Sequence, residues 1–240
     1  MERIKDLTEG IENSDIQALV KAINDDPSIS ILLHLASALG EASVRNPSKI
    51  DQYLVLISKL CDSPDVSEIS YEEEDESTVS EPFGEICPRE ICDGIQDRHY
   101  SDIQEHGMGA RSKAISLDNV FLSTSLLSGC WLRDGMCYSN ILFGHIIIGL
   151  QFPEAKHEGY FDPEFYEVHA IASCINLLAS ARRLLDMRVV TEPELRQGIE
   201  RVAPFVLDPT GKRVLEASRR LASEGFQTAY SSQAICSLLD

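Results

Sequence analysis

Cysteine and histidine are the residues of this 240-residue chain best suited to chemistry. Cys87, Cys92, His99 and His106 are spaced C-x4-C-x6-H-x6-H. Structural zinc sites use tighter pairs. Cys87 and Cys92 also fall five apart in a helical pattern, so they share a face poorly. Buried thiols are the expected state, and no metal. A thiolate–imidazole pair would have to come from Cys174 and His169, again five apart on one helix, a poor geometry for proton transfer. His169 is expected as a packed or surface histidine, and His145, inside an apolar helix, as a satisfied core residue. There is no G-x-S-x-G and no H-E-x-x-H; His157-Glu158 lacks the second histidine. Gly107 and Gly109 follow no strand, and no G-K-[ST] is present, so no phosphate loop is expected. The acidic run lacks the Asp-x-Asp spacing and glycine of a calcium loop. No enzyme and no cofactor are expected.

Charge is the other conspicuous feature. The formal net charge is −18, which disfavours non-specific binding to nucleic acid or anionic membrane and favours a basic partner. Residues 1–81 hold 6 Lys/Arg against 18 Asp/Glu, a balance of −12, whereas residues 182–220 hold 9 against 6, a balance of +3. Residues 62–81 carry nine acids and no base. Like charges at that density repel, so a disordered loop is expected there. Glu72, Glu73, Glu74, Asp75 and Glu76 are candidate contacts for a basic partner. Ser70 and Thr78 each have an acid three residues on, the pattern of acid-directed phosphorylation, which would add negative charge. Arg182, Arg183, Arg219 and Arg220 are the candidate contacts on the late helices, weighed against a plain solvated face that offsets the helix dipoles.

Seven cysteines, at 61, 87, 92, 130, 137, 174 and 236, make an odd set without recurring short pairs. Free thiols in a reducing compartment are expected. MERIKDLTEG has no apolar core, so it does not read as a secretory signal. The run Ile141–Leu150 is broken by Gly144 and His145 and is well short of the ~20 residues that span a bilayer. No membrane partner and a cytoplasmic location, extending to the nucleus, are expected.

The elements that would position these groups are helices. Residues 1–12 show a weak pattern and read as a flexible lead-in. A single helical domain over 13–226 follows, interrupted by the acidic loop 62–81. Ser14-Asp15-Ile16-Gln17 reads as a capping box before the face Ile16, Leu19, Val20, Ile23. A helix over 30–45 turns Leu32, Leu35, Ala36, Leu39 and Ala42 inward. Ser48 is expected to cap the next, with Ile50, Tyr53, Leu54, Ile57 and Leu60 on one face. Helical pattern then covers 83–104 and 114–132, and Ser139 opens NILFGHIIIGL. Asp162-Pro163 caps the longest pattern, Asp162–Met187, expected to be central because its apolar arc is wide. Thr191-Glu192-Pro193-Glu194 is a second capping box. Asp208-Pro209-Thr210-Gly211 starts a helix that Gly225 stops. Residues 227–240 read as a polar tail. The fold class is all-α: about nine to ten helices, with no strand pattern and with short connections that make neighbours antiparallel.

Three stretches carry a family resemblance: LVKAINDDPSISILLHLASAL (19–39), ICDGIQDRHYSDIQEHGMGARSKAISLDNVFLSTSLL (91–127) and ELRQGIERVAPFVLDPTGKRVLEASRRLASEGFQT (194–228). The third has Asp-Pro-Thr-Gly between helices and Gly-Phe where the family often has Gly-Trp or Asn-Trp. Together they resemble the middle domain of eukaryotic initiation factor 4G. The likeness is to its small stand-alone members, such as the histone stem-loop-binding-protein interactor and the poly(A)-binding-protein interactor. The resemblance implies an α-solenoid of stacked antiparallel HEAT-type hairpins and a non-catalytic adaptor in mRNA translation or metabolism. Its partners would be translation factors, a DEAD-box RNA helicase or an mRNA-binding protein, and a homodimer is compatible with the family. The acidity and the acidic insertion depart from the family and make RNA contact weak or indirect, since phosphate contacts need clustered Lys/Arg. The alternative is a helical interaction adaptor outside translation, because fold does not fix function.

Overall fold

The computed structural model describes residues 2–73, 75–104, 113–136 and 166–240, with the side chains of 98–104 left aside. Among the described residues ten α-helices account for most of the structure: α1 Glu2–Glu12, α2 Ile16–Asn24, α3 Ile29–Arg45, α4 Ile50–Cys61, α5 Phe83–Gln104, α6 Val120–Arg133, α7 Tyr166–Asp186, α8 Glu192–Val202, α9 Pro209–Ser223 and α10 Ser232–Leu239. Short 3-10 turns at Pro47–Lys49 and Ala203–Phe205 precede α4 and follow α8. The described residues are therefore all-α apart from one small hairpin.

The helix faces follow the apolar spacing. All five residues expected inward on α3 are buried, as are Ile50, Tyr53, Leu54, Ile57 and Leu60 of α4. Leu195, Ile199 and Val202 of α8 are buried too, with Val214, Leu215, Leu221 and Ala222 of α9. The core centres on α6 and α7. Every residue from Phe121 to Leu132 and from Val168 to Ala181 is buried. Gly129 makes this pairing close: a Cβ there would stand 3.1 Å from the Ala179 Cβ and 3.2 Å from the Asn176 backbone. Many hydroxyls inside the core are satisfied by their own helix. Ser128, Ser173 and Ser180 donate to the carbonyls of Thr124, His169 and Asn176 at 2.9, 2.9 and 2.7 Å, which avoids the cost of a bare buried donor.

Caps fix several helix ends. Asp15, one residue later than expected, is the N-cap of α2 and accepts from the Ala18 amide at 3.0 Å. Ser48 caps nothing: it lies within the 3-10 turn, and its carbonyl accepts from Ser232 Oγ at 3.0 Å. The pattern expected from residue 114 becomes helix only at Val120, behind the N-cap Asn119. The Thr191–Glu194 capping box forms, and Asp208 accepts from the amides of Thr210 and Gly211. At the end of α9 the Gly225 amide reaches the Ala222 carbonyl and the Phe226 amide the Leu221 carbonyl, at 3.0 and 2.9 Å. Gly225 has φ +69°, the left-handed stop its type allows.

Three stretches differ from expectation. Residues 2–12 are a helix rather than a flexible lead-in; Leu7 and Ile11 are fully buried, and α1 packs along α3. Few apolar residues suffice because a neighbouring helix covers them. The acidic stretch is not wholly unstructured: Ile69–Glu72 (β1) and Thr78–Glu81 (β2) pair antiparallel, Ile69 opposite Glu81 and Glu72 opposite Thr78. The Ser70 amide bonds to the Pro27 carbonyl at 2.9 Å, which docks β1 against the start of α3. The tail holds α10, whose Ile235, Cys236 and Leu239 are buried.

α10 packs on the 3-10 turn at Pro47–Lys49, far away in sequence. A polar cluster secures the junction. Asp51 accepts from the Ser232 amide and from Arg133 Nη2, each at 2.8 Å. Arg133 also bonds Asp134 at 2.6 Å and the Tyr230 carbonyl at 3.3 Å. A pure one-dimensional stack contacts nearest neighbours alone, so this closure departs from the simplest solenoid. The expected helix from Ser139, the cap Asp162-Pro163 and the side chains of Glu74, His106, Cys137 and His145 lie outside the described residues.

Candidate functional site

The acidic candidates are arranged by the hairpin. Ile69 on β1 is buried, and Tyr71 and Val79, opposite each other, are half-buried. That inward face holds the strands while the acids turn to water. Ser70 and Ser80 hydroxyls meet at 2.9 Å across the pair, and the Tyr71 hydroxyl donates to Glu81. That bond, above all, pushes the Tyr71 phenol up. The tip closes through the Glu76 amide to the Glu73 carbonyl and the Glu73 amide to the Ser77 carbonyl, both 3.0 Å. Glu76 takes φ +62° there. Asp75 accepts from Ser77, which holds its carboxyl below the usual carboxylate range. Glu72, Glu73, Asp75 and Glu76 are all exposed. Thr78 is exposed as well, whereas Ser70 is half-buried inside the paired strand.

The four arginines are not brought together as one open cluster. Arg182 is exposed and pairs with Asp186 one turn on, at 2.9 Å. Arg183 is half-buried and turned toward Gly135, 3.3 Å from where a Cβ would stand. Arg219 forms a two-pronged bond to Glu200, Nε to Oε1 at 2.8 Å and Nη2 to Oε2 at 2.6 Å. It thereby clamps α9 to α8. The Arg219 bond lowers the Glu200 carboxyl pKa. Arg220 is exposed, and among the described residues its guanidinium has no ion-pair partner. Beside the clamp an open cleft of about 260 Å³ is lined by Arg196, Ile199, Glu200, Arg219 and Ala222. Arg196 bonds Glu192 at 2.6 Å and lies 5.8 Å over the Phe226 ring. The cleft's charges are thus largely paired within the protein.

The chemical candidates are also separated. The His169 ring packs edge-on to Phe121, centroids 4.8 Å apart. Cys174 instead faces α9, where burial pushes its thiol up to about 12 despite a bond to Ser218. A thiol held protonated is a poor nucleophile. Cys87 and Cys92 are both buried. Among the described residues no three His, Cys, Asp or Glu side chains converge as a metal site would require. Two features escaped the sequence. Cys87 and Cys61 act on each other's titration, a proximity across 26 positions that periodicity cannot reveal. The Arg133–Asp51–Ser232 cluster joins residues that each read as ordinary helix ends.

Compared with protein-family models, with curated proteins and with solved structures, the sequence finds no match. No described helix is long and apolar enough to cross a membrane.

Proposed function

We propose that this protein is a non-catalytic adaptor that presents charged flanks of a helical body to protein partners. The observation that carries the reading is the acidic hairpin. A two-stranded turn, docked on α3, holds Glu72, Glu73, Asp75 and Glu76 outward in water. Such a fixed cluster offers complementarity and fast encounter to a basic surface. Arg220, on the far-later helix α9, offers a separate, weaker contact. Thr78 is the accessible phosphorylation candidate; Ser70 would have to leave its strand first.

The setting we infer is mRNA translation or metabolism, in the cytoplasm and also the nucleus. It rests on the resemblance to the initiation factor 4G middle domain. The frame would be a HEAT-type array of antiparallel hairpins, bent by the return of α10 onto the start of α4. In its favour, consecutive helices such as α1 and α2, and α8 and α9, pack as neighbours. Partners of the stated kind are translation factors, a DEAD-box helicase or an mRNA-binding protein, with homodimerisation compatible. RNA contact is expected to be weak or indirect, since Arg182 and Arg219 are already paired and the net charge is −18. Affinity purification of the full chain from cells, with and without RNase, tests the reading. Recovery of such a protein in both arms is expected; recovery of none in either arm contradicts it.

A further inference from the structure

Cys61 ends α4 and is partly exposed, while the five other described cysteines are buried. Its neighbour is the first turn of α5. A Cβ on Gly84 would stand 2.5 Å from the Cys61 carbonyl oxygen and 3.6 Å from its Cα. The backbones of the two helix ends are therefore in direct contact there, which only glycine permits. Cys87 lies three residues after Gly84 on the same helical face, which turns it toward the end of α4, and the thiols of Cys61 and Cys87 are near enough to act on each other's titration. The segment between them, 62–86, contains the whole hairpin. We propose that Cys61 and Cys87 form a dithiol–disulfide site, oxidised by hydroperoxide, that locks the base of the acidic hairpin.

The bond from Cys87, chiefly, lowers the pKa of the Cys61 thiol. Cys87, fully enclosed, is held well above the ordinary thiol range by burial. Cys61 is therefore the attacking group and Cys87 the resolving one. The Cys61 thiolate attacks a peroxide oxygen. The O–O bond breaks, and the leaving hydroxide takes up a proton to give water. Cys61 is then a sulfenic acid. The Cys87 sulfur attacks the Cys61 sulfur, the S–O bond breaks, and the hydroxyl leaves with the Cys87 proton as a second water. Two thiols have lost two electrons, and hydrogen peroxide has become two waters. Glutathione or another thiol reverses the change. The site stands on the packing of Cys61 against the Gly84–Cys87 turn and does not depend on the adaptor role.

The test treats the native full-length chain with hydrogen peroxide, blocks remaining thiols with a maleimide, and maps peptides without reduction. The expected result is a Cys61–Cys87 linked peptide, abolished by dithiothreitol and absent from the Cys61→Ser chain. Before oxidation, Cys61 should alkylate at least about tenfold faster than Cys174, because the thiolate is the reactive form. The oxidised chain should melt about 5–15 °C higher, as closing a loop of this length constrains the unfolded state. Recovery of Cys61 as sulfinic acid, or as free thiol, with Cys87 still open to alkylation after unfolding would overturn the proposal. So would equal-yield crosslinks from Cys61 to other cysteines while circular dichroism shows native helix.

Discussion

At the scale of single residues, Glu200 and Arg219 give a pH-dependent clamp. The Arg219 hydrogen bond lowers the folded pKa of Glu200 below its ordinary 4.5. A depressed acid stabilises the fold fully above its unfolded pKa and loses that contribution as pH falls through the folded value. The melting temperature of the native chain should therefore drop between about pH 5 and 3. Glu200→Gln should flatten part of that slope and lower stability at pH 7 by under about 1 kcal/mol, since the pair is largely exposed. Thermal melts from pH 7 to 3 measure both. The buried thiols act at the other end. Burial pushes Cys236 to about 11 and Cys174 to about 12. Their protonated forms stabilise the fold below the unfolded thiol range, and that contribution fades as pH rises from about 9 toward those values. Phe226 is fully buried behind Gly225. Phe226→Ala should cost about 3–5 kcal/mol in urea unfolding.

At the scale of elements, the helix ends supply sharp tests. α7 closes with the Val189 amide on the Leu184 carbonyl at 3.3 Å and Arg188 at φ +58°. This is the position where glycine costs least. Arg188→Gly should raise stability by about 0.5–1 kcal/mol, read as a shifted urea midpoint with unchanged slope. Gly84→Ala should lower it by about 1–3 kcal/mol, because the new methyl meets the Cys61 backbone rather than a movable side chain. These elements also mark what could be read without coordinates. α3, α4, α8 and α9 were legible because each has a full apolar stripe, and α8 and α9 have strong caps as well, the Thr191–Glu194 box and Asp208. The hairpin was not. Its strands, ISYE and TVSE, are four residues each, and they sit inside a charge run whose repulsion dominates any local reading. Pairing relieves that repulsion by sending the tip acids to water, while Ile69 finds cover against the body. α1 was read as a lead-in because few apolar residues lie on it, and α10 was missed because it is only eight residues long; they pack on α3 and on the turn before α4. Among the site candidates, exposure at Glu72, Glu73, Asp75 and Glu76 followed from composition. The pairing of Arg182 with Asp186 is an i,i+4 spacing that the sequence displays, whereas the fates of Arg183 and Arg219 depended on local packing and on a partner distant in sequence, which spacing does not specify.

At the scale of the whole molecule, the return of α10 ties the last helix to the first third of the chain. Arg133 is the hinge pin of that closure. Burial opposes its charge, but hydrogen bonds to Asp134 and Asp51 outweigh the penalty and raise its pKa. Arg133→Ala should leave Asp51 half-paired in a partly dry site and cost about 2–4 kcal/mol, seen as a loss of cooperativity and a lower urea midpoint. The closure joins distant parts of the described helical body, and the hairpin is docked on its α3. The most direct test of the adaptor account compares two full-length chains as bait after RNase: the native one, and one with Glu72→Gln, Glu73→Gln, Glu74→Gln, Asp75→Asn and Glu76→Gln. The account predicts a translation or mRNA-binding protein retained by the native chain at least about tenfold better than by the neutralised one. Equal recovery by both chains, or a native chain that retains no such protein, would contradict it.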